Sequence, residues 1–133
     1  MTIKFGHRSR FWRRKFRDAL RGVWLGVRGQ SSFMVHSIFT FAVIGFAAVL
    51  RMSLIEWCLL ILCIASVLTA EMFNSSLESL AKAIDLQHNV HLKGALDISS
   101  AAVLIAAIGA AIVGTVVFLH RLGAVFAWWA AVR

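Results

Sequence analysis

Glu71, Asn74, Ser75 and Glu78 form a polar stripe in an otherwise largely apolar stretch. Their three- and four-residue spacings put them on one face of a helix, at about 100° per residue. A charged side chain costs about 2.5–3.5 kcal/mol at the centre of a bilayer and less near its edge, so two stacked carboxylates there require an offsetting charge. The stripe therefore points to a site with hard oxygen donors for a divalent cation, or with a base for proton transfer. The bland alternative is a helix that has left the membrane by Glu78, with water solvating both acids. Asp97 is a third acid, followed by Ser99 and Ser100. At the start of a helix it would act as an N-cap, and on the same side of the membrane as Glu78 it would also approach that residue. Three acids, an amide and nearby Lys93 make up the donor and cation set of a magnesium–nucleotide site, where catalysis is mostly positioning and charge neutralisation. There is no Walker-type Gly-rich loop, and an ion or proton relay would use the same residue types. His88 and His91, three residues apart in a polar stretch, read more simply as solvated side chains than as a metal pair.

The elements that must carry these residues follow from composition. Of 133 residues, 60% are hydrophobic and 15% charged, there is no proline, and the mean hydropathy is +0.82. A soluble domain of this length needs a more polar surface, so the expected solvent is lipid. The net charge is +8, and its excess is concentrated before residue 30, from Lys4 and Arg8 through Arg13, Arg14, Arg17 and Arg21 to Arg28. Such a block suits nucleic acid or anionic lipid; the apolar segments behind it select lipid and no nucleic acid. Cys58 and Cys63 lie in an apolar run and read as packing residues. The basic, aromatic N-terminal stretch does not read as a signal peptide.

Residues 8–28 read as an amphipathic helix lying in the membrane interface, with Trp12, Phe16, Leu20, Val23 and Val27 on one side and arginines on the other. Residues 33–50, 54–84 and 97–120 are the expected spanning helices of a single membrane domain, joined by a turn at 51–53 and a polar loop over 85–96. The second continues beyond its apolar part and projects from the membrane, with Glu56 and Trp57 as an interface anchor at its outer end. Ala102, Ala106, Ala110 and Gly114 form a small-residue ridge suited to helix packing within or between subunits. Trp128, Trp129 and Arg133 mark the far interface. The basic residues hold the N-terminus in the cytoplasm, which makes a multi-pass protein of the bacterial inner (plasma) membrane with the 51–53 turn outside and the 85–96 loop inside.

The segment Glu71-Met-Phe-Asn74-Ser-Ser-Leu-Glu78 resembles the E-x-x-N-[ST]-[AS]-[IL]-E signature of the small prokaryotic membrane diacylglycerol and undecaprenol kinases. Asp97-Ile-Ser-Ser-Ala-Ala-Val-Leu resembles their second block, at a separation from Glu71 that fits without a gap. The resemblance runs from about Phe16 through the third span. It implies a trimeric all-α bundle with three spanning helices per subunit and a surface helix, and ATP-dependent phosphorylation of a lipid hydroxyl with Mg2+. By position, Glu71 matches the general base and Glu78 a metal-ligating glutamate. Asn74 and Asp97 match polar residues of the nucleotide site, with Lys93 reaching the phosphates, while Ser75, Ser99 and Ser100 are assigned to the lipid substrate. His36 and Ile55-Glu56-Trp57 look more like the undecaprenol kinase branch. Three positions depart from the family pattern. Gln30 stands where a second metal-binding glutamate is usual, Leu96 where a lysine precedes the aspartate, and Lys82 where an aspartate ends the second helix. These departures motivate a second reading, a weakened or inactive member that binds lipid or nucleotide. An ion pathway through the carboxylates is a third.

Overall fold

The computed structural model describes residues 6–28, 31–84 and 89–132. They form four helices: α1 (Gly6–Val27), α2 (Ser31–Val49), α3 (Leu54–Ile84) and α4 (Val90–Val132). The last three are each long and apolar enough to cross a membrane. All-α architecture with three spanning helices behind a surface helix is thus as expected. Large apolar side chains such as Phe39, Phe41, Phe46, Ile61 and Ile105 lie exposed along the spanning helices, as suits helices in contact with hydrocarbon. Hydroxyls inside the spans bond back to their own helix: Ser37 donates to the Phe33 carbonyl, Thr40 to His36 and Ser66 to Leu62. Such bonds satisfy polar groups that lipid cannot.

α4 differs most from expectation. It begins at Val90, not Asp97, and Asn89 is its N-cap: the Asn89 Oδ1 accepts from the amides of His91 (3.0 Å) and Leu92 (3.2 Å). Asp97 is therefore two turns inside the helix and caps nothing. Gly94 does not break the helix, because a single glycine costs only about 1 kcal/mol relative to alanine. The expected loop shortens accordingly; its residues 85–88, including His88, lie outside the described residues, as does Arg133. α4 also runs on past residue 120 to Val132.

α3 and α4 share the most extensive contact, and α2 packs on α3. A small core of Ala47, Met52, Leu60 and Val117 sits where these three helices meet, flanked by Val43, Trp57, Val113 and Phe118. Of the small-residue ridge on α4, Ala106, Ala110 and Gly114 are half-buried and Ala102 is exposed. A Cβ at Gly114 would meet nothing within 4 Å, so close approach within the chain does not depend on that glycine.

The α2–α3 turn is tightly made. Arg51 closes it in the left-handed region, with φ 52°. Ser53 and Glu56 then form a capping box. The Ser53 amide donates to the Glu56 carboxylate at 2.6 Å, and the Glu56 amide to the Ser53 hydroxyl at 3.4 Å. α4 reaches across to the same turn. Arg121 donates from Nε to the Leu50 carbonyl at 2.9 Å and from Nη2 to the Arg51 carbonyl. His120 Nδ1 lies 3.6 Å from Glu56. Arg121 thus supplies donors to carbonyls that the end of α2 leaves without helical partners. Replacing Arg121 with methionine is expected to cost about 1–2 kcal/mol, the lower part of the range for hydrogen bonds to charged groups because water can reach part of the turn. A fall in the thermal unfolding midpoint in detergent checks this; an unchanged midpoint removes Arg121 from that role.

Candidate active site

Distance along the helices sets the depth of the polar stripe. At about 1.5 Å per residue, Glu71 lies roughly 26 Å and Glu78 roughly 36 Å from the start of α3, which brackets a hydrocarbon core of about 30 Å. With the start of α3 at one membrane boundary, the stripe would fall at the other, at the end of α3 away from the Arg51 turn.

α3 and α4 run antiparallel, and their register brings the stripe against α4. Asn74 is the hub. Its Oδ1 accepts from Ser99 Oγ at 2.6 Å and from Ser100 Oγ at 3.4 Å, and its Nδ2 donates to Glu78 Oε1 at 3.0 Å. The Ser99 hydroxyl also lies 2.8 Å from the Leu96 carbonyl. Asn74, Ser75 and Ser99 are buried and Glu78 is half-buried. The amide thus fixes one oxygen of Glu78 while its own oxygen is held by the next helix.

Glu71 is 1% exposed, the only fully buried large side chain among the described residues, and its Oε1 has no hydrogen-bond partner among them. An unpartnered carboxyl oxygen away from water is costly. It is the feature of the site that packing alone does not explain.

Among the expected site residues, Asn74, Glu78, Ser99 and Ser100 are joined by hydrogen bonds. Glu71 and Ser75 lie on the same stretch of α3. Asp97 and Lys93 are exposed on α4, and no hydrogen bond or ion pair joins either to the α3 acids among the described residues. Gln30 lies outside the described residues. His36 is half-buried on α2. No cluster of three or more His, Cys, Asp or Glu suited to a metal occurs among the described residues. Magnesium does not need one, since it is commonly held by one or two carboxylates with phosphate and water. The hard oxygen of Glu78 fits that chemistry.

Sequence reasoning overlooked the approach of α1. Gly26 lies against Met72, where an added Cβ would stand 2.5 Å from Sδ and 2.8 Å from Cε. α1 thus packs on the flexible end of the Met72 side chain, beside the polar stripe.

The family model for prokaryotic diacylglycerol kinase matches residues 17–118. The chain belongs to this family. It is accordingly a membrane lipid kinase, and the matched segment takes in both the α3 stripe and the α4 serines. This kinase is similar to the undecaprenol kinase of Bacillus subtilis (strain 168), with 30% identity over 114 residues, covering 86% of this chain and 92% of the relative.

Proposed function

We propose that this kinase transfers the terminal phosphate of ATP to the hydroxyl of a membrane lipid, with undecaprenol as the first candidate and diacylglycerol as the second. The buried, unpartnered Oε1 of Glu71 at the lipid boundary carries the reading. In the transfer, the lipid oxygen bonds to the terminal phosphorus as the bond to the bridging oxygen of ADP breaks. The hydroxyl proton passes to Glu71, the general base. A lipid hydroxyl would supply the partner that Oε1 lacks. Exclusion of water around Glu71 disfavours hydrolysis of ATP in place of transfer. Glu78, with one oxygen fixed by Asn74, and the amide of Gln30 would hold magnesium, which neutralises phosphate charge. Asn74, Lys93 and Asp97 are assigned to the nucleotide, and Ser75, Ser99 and Ser100 to the lipid. The undecaprenol preference draws on the similarity to the Bacillus subtilis enzyme. A position of α1 on the cytoplasmic surface of the bacterial inner membrane accords with the basic residues of α1 and the need for ATP, and the homotrimer is carried over from the family resemblance alone.

The test is phosphate transfer from labelled ATP to undecaprenol and to diacylglycerol in mixed micelles over millimolar magnesium. Transfer to neither lipid overturns the proposal. Nucleotide or lipid binding without turnover would instead support the inactive-member reading that Gln30 and Leu96 motivate.

Gln30→Glu is expected to lower the magnesium concentration for half-maximal activity by about tenfold, the effect of one added hydrogen-bonded charge. A magnesium titration of the two proteins checks this. An unchanged requirement removes Gln30 from the metal site.

A further inference from the structure

Next to the polar stripe, α3 turns a second face toward α1. Ser75, Ser76, Ser79 and Lys82 line one wall of a cleft there, and Gly26 of α1 with Arg28 just past its end lines the other. At about 100° per residue Ser79 is turned by nearly a right angle from the Glu71–Glu78 stripe and Ser76 further still, while Ser75 and Lys82 stand beside the stripe, Lys82 one turn beyond Glu78. The cleft encloses about 340 Å³, within the roughly 300–1,000 Å³ range of small-ligand sites.

Its charge is one-sided. Arg28 directly follows α1 and Lys82 lies on α3, and among the described residues no carboxylate lines the cleft. Among the described residues, neither cation forms an ion pair with an acid. Arg28 is held in place instead by its guanidinium over the Trp24 ring, 4.5 Å from the centroid. Lys82 occupies the last turn of α3, roughly 42 Å along that helix from its start and so beyond the hydrocarbon boundary. A guanidinium fork, an ammonium and intervening hydroxyls, with no acid in the lining among the described residues, are what a tetrahedral phosphate anion takes.

We propose that Arg28 and Lys82 hold a phosphate-bearing ligand of the transfer reaction in the α1–α3 cleft. The inference rests on the kinase reading above and deepens it. Two ligands carry the required anion: the nucleotide, through its polyphosphate, and the phosphorylated lipid, through its new headgroup. In either case the cleft adjoins the stripe through Ser75, so the bound phosphate lies beside the residues assigned to transfer.

The ordinary explanation for two exposed cations is that they are solvated, with Lys82 also favoured by the carbonyl end of its helix. Charge-dependent binding separates the two accounts. Full-length wild type, Lys82→Gln, Arg28→Gln, the double variant and the charge-keeping Lys82→Arg would be compared in mixed micelles. KM is measured for ATP and for the lipid separately, and binding of ADP and of a short-chain diacylglycerol phosphate is measured by calorimetry without turnover. Each Gln variant is expected to weaken one of these ligands by about tenfold to a hundredfold, the range for a hydrogen bond to a charged group. Lys82→Arg is expected to retain most of the affinity. Loss of ADP binding with a raised KM for ATP identifies the nucleotide; loss of lipid-phosphate binding identifies the lipid headgroup.

Unchanged affinity for both ligands in the double variant overturns the proposal, as does a wild type that binds neither. Full wild-type turnover with unchanged affinities in the double variant leaves the kinase reading standing and removes the cleft. Charge-dependent binding without wild-type turnover removes the kinase reading and leaves the cleft. Both side chains are exposed, so stability should change little. Should a Gln variant misfold, the loss of ligand affinity on adding salt to wild type, compared with Lys82→Arg, decides between the same outcomes.

Discussion

Glu71→Gln is expected to reduce phosphate transfer by about two to four orders of magnitude, the usual contribution of a positioned general base. The substitution keeps the shape of a side chain that is 1% exposed but removes its capacity to take a proton. Its effect on folding should be small. Oε1 already lacks a partner, so no hydrogen bond of that oxygen is lost, and a neutral amide is easier to bury than a carboxylate. The expected signature is therefore a collapsed kcat with an unfolding midpoint close to wild type and with nucleotide binding retained. Turnover at the wild-type rate would remove Glu71 from the role of base. A large fall in midpoint would assign it to folding instead.

Asn74→Leu should act on both stability and activity. Leucine keeps the branching and the number of heavy atoms, with bulkier methyl groups in place of the amide, but the amide makes one bond along α3 to Glu78 and two across to Ser99 and Ser100. Ser99 retains the Leu96 carbonyl as an alternative acceptor, and half-buried Glu78 can regain water. The loss should therefore be about 1–3 kcal/mol, the cost of incompletely replaced buried hydrogen bonds, rather than the sum of three such bonds. Activity should fall by about 10- to 100-fold, as is typical when a residue orienting a metal ligand is removed, with a higher magnesium requirement. Ser99→Ala provides the comparison, since it removes one α4 contact but leaves the bond from Asn74 to Glu78. Equal losses in the two variants would show that the serine contact, not the orientation of Glu78, is what matters.

The stripe was legible in the sequence because helical periodicity is local: Glu71, Asn74 and Glu78 share a face whatever surrounds them. The span of α3, Leu54–Ile84, followed for the same reason. The start of α4 was not legible in this way. Asp97 and Asn89 both have capping chemistry, and Gly94 between them resembles a break. Asn89 caps two amides, and the intervening residues are helical. The Ser53-x-x-Glu56 box, in contrast, carried a readable signal that an interface-anchor reading of Glu56 passed over. Arg121 carried none, because its partners are about seventy residues earlier in the chain and become neighbours only once α3 and α4 have paired. The α1–α3 cleft was hidden for a similar reason: Gly26 and Met72 show no relation in sequence.

α3 and α4 are fastened to each other at two levels, by the Glu56–His120 contact at one end and by Asn74 with Ser99 at the other. The interval between these fastenings is about 27 Å along α3 and about 31 Å along α4. The pair acts as a caliper. It fixes the separation between the Arg51 turn and the polar stripe close to one hydrocarbon thickness, so a thicker or thinner bilayer must deform or tilt the helices, at fractions of a kcal/mol per ångström of mismatch. Acyl-chain length thereby becomes a variable of the kinase itself, acting on where its carboxylates meet the lipid headgroups.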